Sequence, residues 1–217
     1  MNGETMKKWV PLALVAAIVL VIAAVGVVVG LNVSSLNDKE AIVAEAASDS
    51  SAIADEKNII KNSGFENGPE GSSTPYEWEK YCWSDHDLAM YWERSEVHGG
   101  KRSVCISNTE TYGGTEVCNN WVQKITGINK VAGTKMQFTG WMKTENVDGI
   151  ATFCVDCWDS QGNQISIINT EHIKGTTGWM HYSKTVDIPK NASEILVRGT
   201  LTGTGNVWFD DLALVPI

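Results

Sequence analysis

NIIKNSGFENG (residues 58–68) and GNVWFDDLALV (residues 205–215) are the two stretches of sequence that decide the fold. Each combines residues typical of β-strands or tight turns with a carboxylate, Glu66 in the first and Asp210 in the second. The first and last segments of a compact domain often lie close together. We therefore expect Glu66 and Asp210 to meet, and to be able to share one cation.

The chain between these two stretches consists of short runs with alternating apolar and polar residues. Turn residues, mostly Gly, Pro, Asn and Asp, separate the runs, and no window keeps a helical period. The pattern predicts strands at 88–96, 103–107, 121–125, 136–143, 150–158, 164–168, 182–188, 194–201 and 206–215. This number and spacing of strands predict an all-β fold, a two-sheet sandwich of the jelly-roll, galactose-binding-domain-like type.

The N-terminal part of the chain has a different character. Residues 10–31 carry no charge and are almost all aliphatic, which is long enough for a transmembrane helix. A secretory signal peptide is the alternative, although its apolar region is usually shorter. Lys7 and Lys8 precede the span and favour a cytoplasmic segment 1–9 with the rest outside. Residues 32–57 are polar and read as a linker, so we expect a membrane-anchored extracellular domain at 58–217, or a secreted one.

Charge and cysteine content exclude some classes of function. The formal net charge is −9 without a basic cluster in the C-terminal domain, and nucleic-acid binding is therefore not expected. Five cysteines are an odd number, so at least one lacks an intrachain partner. Cys105 and Cys118 could form a bridge, and free thiols explain the count equally well. Cys154 and Cys157 should point to opposite sides of one strand.

Several motifs, taken in order, resemble the CenC-like carbohydrate-binding modules of families 4, 9 and 22. They are the opening motif at 58–68, Pro-Tyr-Glu-Trp at 75–78, Val-His-Gly-Gly-Lys-Arg-Ser-Val at 97–104, Gly-Thr-Lys-Met-Gln-Phe-Thr-Gly-Trp-Met-Lys at 133–143, Gly-Thr-Thr-Gly-Trp at 175–179 and Val-Trp-Phe-Asp-Asp-Leu at 207–212. Met136 stands where the family usually has an aromatic residue. The resemblance covers nearly all of 58–217, and it implies a β-jelly roll with one concave, sugar-binding sheet.

The resemblance also implies a structural calcium ion near the junction of the two chain ends. Carried over to this sequence, its side-chain ligands are Glu66 and Asp210, with a backbone carbonyl at Lys101 and others near 62–64. Asp211 ranks second because it faces the other side of its strand. Calcium prefers such oxygen ligands. The alternative is that these acids are only solvated residues of turns and strand ends.

Tryptophans on an exposed strand face are the candidate sugar contacts, because sugars stack on flat aromatic rings and hydrogen-bond to amide and guanidinium groups. Alternation within each predicted strand selects a leading set, Trp121, Gln123, Trp141 and Trp158, with Trp83, Tyr91, Trp92 and Arg198 as weaker additions. Packing against the core is the alternative for each. Trp78, Trp179 and Trp208 occupy motif positions where we expect packing residues.

We therefore expect a non-catalytic module that binds a neutral plant or microbial polysaccharide and holds it near the cell surface. Modules of this kind usually accompany glycoside hydrolases, and such enzymes are possible partners. A glycoside hydrolase is the alternative function, although the motifs provide no obvious pair of carboxylates for it. An adhesion or structural surface protein is the second alternative.

Overall fold

The computed structural model describes residues 57–82, 88–110 and 118–217 of the protein. The predicted cytoplasmic segment 1–9, the predicted membrane anchor 10–31, the linker up to residue 56 and Trp83 lie outside this part. Among the described residues, no helix has the length and apolar character needed to cross a membrane.

The described residues form eight strands and one short 3₁₀ turn at Ile128–Lys130. The strands are β1 (Glu79–Tyr81), β2 (Leu88–Glu93), β3 (Ser103–Asn108), β4 (Cys118–Thr126), β5 (Lys135–Trp158), β6 (Gln164–Asn169), β7 (Ile173–Asp187) and β8 (Glu194–Pro216). All the pairings between them are antiparallel. The all-β prediction is confirmed.

Two long strands, β5 and β8, run through both sheets of the molecule. The first sheet has the order β7–β5–β8–β3–β2 and uses residues 135–145 of β5 and 205–216 of β8. The second sheet has the order β1–β4–β8–β5–β6 and uses residues 150–158 and 194–202. The segments 136–143 and 150–158, which the sequence pattern treats as separate strands, are thus one strand. The same holds for 194–201 and 206–215.

A pair of glycines allows β5 and β8 to pass from one sheet to the other without losing their pairing. Gly149 and Gly203 are register partners with φ of 128° and 91°. A Cβ atom would lie 2.0 Å from the Thr202 carbonyl oxygen at Gly149, and 2.2 Å from the Asp148 carbonyl oxygen at Gly203. Only glycine fits such a backbone at this separation, so the close approach of the two strands depends on both residues.

The hydrophobic core lies between the two sheets. Phe153, from the part of β5 in the second sheet, contacts Phe138 and Phe209 of the first sheet with ring-centroid distances of 5.3 and 5.2 Å. All three side chains are fully buried. Trp78 belongs to this core at 3% exposure, whereas Trp208, at 9%, lies on the opposite side of β8 from Phe209 with the Lys143 ammonium group over its ring. Both are buried, as expected of packing residues. This arrangement is a two-layer β-sandwich.

The two motifs that open and close the domain lie side by side. Asn58 accepts a hydrogen bond from the Leu214 amide (2.9 Å) and donates one to the Leu212 carbonyl (3.0 Å). The Ile59 amide donates to the Leu214 carbonyl (3.1 Å). The expectation that the two motifs lie close together is therefore confirmed, and an amide side chain that bonds to the backbone of β8 joins them.

All five cysteines lie within the described residues and all are free thiols. The possible bridge between Cys105 and Cys118 is not formed. Cys154 and Cys157 do lie on opposite sides of β5, because Cys154 is the register partner of Arg198 whereas Cys157 pairs with Ile195 in the core. The prediction that these two cysteines point to opposite sides of one strand is confirmed.

Candidate functional site

Trp121 and Gln123 lie on the core side of the second sheet, which corrects their prediction as surface contacts. Trp121 is fully buried, and its Nε1 donates a hydrogen bond to the Cys105 carbonyl (3.0 Å). Gln123 accepts from the Lys61 amide (2.8 Å) and donates to the Lys61 carbonyl (2.7 Å). Trp121 and Gln123 do point to one side of β4 and Val122 to the other. However, it is the apolar Val122 that lies on the outer face of the sheet, and the two larger side chains point to the core. The buried amide of Gln123 serves to hold the N-terminal segment.

The outer face of the second sheet carries a row of polar side chains in adjacent register positions. We define the polar face as Asn120, Asp156, Trp158 and Arg198, together with their neighbours Glu79, Tyr81, Lys124, Cys154, Glu194 and Thr200 on the same side of the sheet. Asn120 pairs with Thr200 across β4 and β8, and Arg198 pairs with Cys154 across β8 and β5. Four strands therefore contribute to a single face.

Several polar atoms of this face are buried and lack a hydrogen-bond partner among the described residues. They are Oδ1 and Nδ2 of Asn120, Oδ2 of Asp156, Nε1 of Trp158 and Nε of Arg198, whereas a sixth atom of this kind, Nε1 of Trp208, lies outside the face. A buried polar group without a partner costs free energy, and native proteins contain few of them. Five of the six such atoms among the described residues lie on this face, so it is where the described structure leaves most polar groups without a hydrogen-bond partner.

An ion pair organises the centre of the polar face. Nη2 of Arg198 lies 2.6 Å from Oδ2 of Asp156, whose side chain is 1% exposed. The N–H bond is not directed at the oxygen, because Oδ2 makes no hydrogen bond despite this distance. The Cys154 thiol donates to Oδ1 of Asp156 (2.8 Å). Burial, followed by this hydrogen bond, raises the pKa of the Cys154 thiol, and the thiol therefore stays protonated.

The accessible part of the polar face is formed by larger side chains around that ion pair. Tyr81 is 53% exposed, and Trp158 is partly buried. Lys124 and Glu194 form a second ion pair (2.6 Å). The face thus combines two aromatic rings with paired charges and unpartnered hydrogen-bonding groups.

Trp141 lies on the outer face of the other sheet, far along β5 from Trp158. Its ring stacks on His98 at 3.8 Å and tilts against His181 at 5.2 Å. His98 also meets the edge of Trp179 at 5.8 Å and pairs with Asp211 at 2.7 Å. Trp179 is only partly buried and packs against His98 rather than in the core, which corrects its expectation as a core packing residue. The cluster fixes the turn that contains His98. The structure does not bring Trp141 together with Arg198.

Trp92 is partly buried and packs against the hydrophobic core. Its Nε1 donates to the Phe65 carbonyl (2.7 Å), and the Arg102 guanidinium lies 4.1 Å from its ring. Tyr91, on the opposite side of β2, is 51% exposed but belongs to the first sheet. Of the described sugar-contact candidates, Trp158 and Arg198 therefore share one face.

Asn120, Asp156 and Tyr81 are members of the polar face that the sequence reading missed. The available signal is the presence of an amide and a carboxylate within strands whose neighbours are mostly apolar. Such residues are rarely buried without a specific partner.

Glu66 and Asp210 bind the same turn, residues 98–102, from two sides. Oε1 of Glu66 accepts hydrogen bonds from the backbone amides of Lys101 (2.8 Å) and Arg102 (3.0 Å). Oδ2 of Asp210 accepts from the amides of His98 (2.9 Å) and Gly99 (3.1 Å). The two acids are thus close together, as the sequence predicts, and Lys101 presents its amide group to Glu66.

Asp210 is fully buried beside a second carboxylate. Burial, followed by repulsion from Asp211, raises the pKa of Asp210 to about 7, although three backbone hydrogen bonds oppose the shift. A Cβ atom on Gly64 would lie 3.2 Å from Oδ1 of Asp211 and 4.0 Å from Oδ1 of Asp210. Within the described ranges, no three His, Cys, Asp or Glu side chains form a preformed metal-binding group.

A comparison with known protein families found no match. An uncharacterized HTH-type transcriptional regulator of Bacillus subtilis (strain 168) is 28% identical over 127 residues, which are 58% of this chain and 42% of that protein. The chain therefore spans less than half the length of that relative.

Solved structures share the fold at low sequence identity. The family 22 module from Clostridium thermocellum Xyn10B is 18% identical, with a TM-score of 0.50 over 71% of this chain and 91% of that one. The protein has the fold of a carbohydrate-binding module. A putative sugar binding protein from Bacteroides thetaiotaomicron is 14% identical, with a TM-score of 0.51 over 74% of this chain and 100% of that one. The enzymatically active domain of a bacteriophage CBA120 tailspike is 16% identical, with a TM-score of 0.54 over 74% of this chain but 22% of that one.

Proposed function

We propose that residues 58–217 form a non-catalytic module that binds a neutral polysaccharide on the polar face of the second sheet. The observation that carries the proposal is the set of buried, unpartnered polar atoms on Asn120, Trp158 and Arg198, all on one side of that sheet. The Clostridium module of similar fold is described as binding its ligand in a cleft. That description supports the same use of the fold here.

The chemistry of the face suits sugar hydroxyl groups. A hydroxyl both donates and accepts a hydrogen bond. The partly exposed side chains of Trp158 and Arg198 carry donors, and the buried Asn120 amide would add one group of each kind if a ligand uncovers it. The exposed ring of Tyr81 and the partly exposed ring of Trp158 provide apolar surfaces for stacking on sugar C–H groups.

Affinity electrophoresis of the intact protein in gels containing xylan, mannan, galactan or β-glucan tests the proposal. At least one polysaccharide should retard wild-type protein, and Trp158→Ala and Asn120→Ala should reduce the retardation. Tyr91→Ala is the control, since it removes an aromatic ring from the other sheet. Melting curves establish that each variant is folded.

Absence of retardation on every glycan would refute the binding function. Equal loss in Tyr91→Ala and Trp158→Ala would refute its assignment to the polar face. A reducing-sugar assay on the same polysaccharides distinguishes binding from hydrolysis, because release of sugar would favour a glycoside hydrolase.

Glu66 and Asp210, in the opening and closing motifs of the domain, are proposed as part of a structural calcium site. The proposal is supported by the position of Glu66 and Asp210 on the same turn and by the preference of calcium for carboxylate oxygens. Because no three acidic, His or Cys side chains of the described residues form a metal-binding group, the ion would need further ligands from the backbone. Glu66 and Asp210 would hold the ion, with backbone carbonyls such as that of Lys101 completing its coordination. The bound ion would neutralise a buried charge and stabilise the turn at 98–102. Calcium should raise the melting temperature of chelator-treated protein, and an unchanged value would refute the site.

The N-terminal segment is proposed to hold the module outside the cell. Residues 10–31 would anchor it in the membrane, and residues 32–57 would separate it from the bilayer. Bound polysaccharide would then be kept near glycoside hydrolases at the cell surface. Protease treatment of intact cells should remove the module, whereas recovery of full-length protein in the soluble cell fraction would contradict the anchor.

A further inference from the structure

On the basis of the binding function proposed above, we infer that Asp156 determines the charge selectivity of the polar face. It pairs with Arg198, so that the face accepts neutral sugars and gives no advantage to sugars that carry a carboxylate. Asp156 is thus a specificity-determining residue that acts through Arg198.

The two partners of the ion pair differ in exposure. The Arg198 side chain is 23% exposed, whereas that of Asp156 is 1% exposed. A ligand can therefore reach the guanidinium but not the carboxylate that compensates its charge. A sugar carboxylate placed against Arg198 would lie close to Asp156 as well, and repulsion between the two anions would offset its attraction to the cation. A hydroxyl group meets no such repulsion.

The Cys154 thiol holds Asp156 in place for this role. It donates to Oδ1 (2.8 Å), and Oδ2 therefore remains free to face Arg198 at 2.6 Å. Cys154 and Arg198 are register partners on β5 and β8. The carboxylate is thus fixed by its own strand on one side and by the neighbouring strand on the other.

The remaining charges of the polar face do not compensate Arg198. Lys124 is paired with Glu194 at 2.6 Å. Glu79 is exposed and lies on β1, two strands away from Arg198. Loss of the Asp156 charge therefore leaves Arg198 as the unpaired cation beside the ligand.

The substitution Asp156→Asn tests the inference, because it preserves the size of the side chain and removes its charge. Isothermal titration compares a neutral polysaccharide that wild-type protein binds with polygalacturonate and alginate. Wild-type protein should bind the neutral chain better than the polyuronates. Asp156→Asn should bind the polyuronates about tenfold more tightly than wild type, since hydrogen bonds between charged groups are among the strongest polar contacts in proteins. The gain should fall with added salt.

Glu194→Gln is the matched control, since it removes the carboxylate of the other ion pair on the same face. It should change the polyuronate affinity much less than Asp156→Asn does. An equal gain in both variants, or no gain in a folded Asp156→Asn, would overturn the inference. Wild-type protein that prefers polyuronates would overturn it without any variant. If wild-type protein binds no polysaccharide at all, the proposed function itself fails.

Discussion

The raised pKa of Asp210 predicts that the protein loses stability as the pH rises from acidic to neutral values. Burial raises the pKa of its carboxyl group from the ordinary 3.8 to about 7, and Asp211 adds to the effect. Between these two pH values the folded protein keeps a proton on Asp210 that the unfolded chain has released. Unfolding therefore releases a proton, and the free energy of unfolding must fall as the pH rises through this window.

The magnitude follows from the width of the window. One extra proton bound in the folded state changes stability by about 1.4 kcal/mol per pH unit. The shift of the Asp210 pKa from 3.8 to about 7 would thus reduce stability by roughly 4 kcal/mol across the window. Asp159 and Glu93 have the opposite behaviour, because backbone hydrogen bonds lower the pKa of each. Their contribution is lost only as the pH falls through the acidic range.

Urea unfolding followed by tryptophan fluorescence measures this effect, from about pH 4.5 to about pH 8.5 with a chelator present. Wild-type protein should lose stability with rising pH, whereas Asp210→Asn should show a much flatter profile. Bound calcium would hold the carboxylate ionised and reduce the loss. Parallel profiles for wild type and Asp210→Asn would refute the assignment, because the titrating group would then lie elsewhere.

The packing and the thiols give three further predictions. Trp121→Ala removes a fully buried ring and should destabilise the fold by about 3–5 kcal/mol in urea unfolding; a loss as small as that of the exposed Tyr91→Ala would show that Trp121 is not in the core. Gly149→Ala should cost about 3 kcal/mol or more, because the Cβ atom would collide with backbone at a positive φ. Gly178→Ala is its control and should be near neutral, because a Cβ atom there meets nothing within 4 Å. Equal destabilisation by both substitutions would contradict the close approach of β5 and β8 at Gly149. Ellman's reagent should modify the exposed Cys82 and the partly exposed Cys118 in native protein, but not the buried Cys105, Cys154 and Cys157, whose pKa values are raised by burial; rapid modification of all five would contradict that burial.

The local pattern of the sequence is sufficient to predict where strands lie and which side chains of β5 point to the core. Met136, Phe138 and Met142 are fully buried, whereas Gln137 and Trp141 between them are partly exposed. Alternation predicts this because successive side chains of a strand point to opposite faces. The contact between the opening and closing motifs was also predictable, since both motifs carry side chains, such as Asn58 and Asp210, that bond to backbone groups elsewhere in the domain.

The length of β5 and β8 was not predictable from the same pattern. Gly149 and Gly203 look like turn residues in the sequence, because glycine usually marks a break between strands. In the fold they allow the two backbones to approach closely without ending either strand. Whether such a glycine ends a strand or continues it depends on the partner strand, which lies far away in sequence.

The leading sugar-contact candidates do not share one face, for a related reason. Alternation tells which residues share a side of one strand, but β5 serves both sheets and therefore has two outer sides. Trp141 and Trp158 both point away from the core, yet they lie on different sheets, and only Trp158 shares a face with Arg198. Polar residues inside apolar strands are the better guide, because burial of an amide or a carboxylate requires a partner. Gln123 finds that partner in the backbone of Lys61, whereas Asn120 has none among the described residues, and this difference separates an amide that holds the N-terminal segment from one whose hydrogen bonds are still unmade.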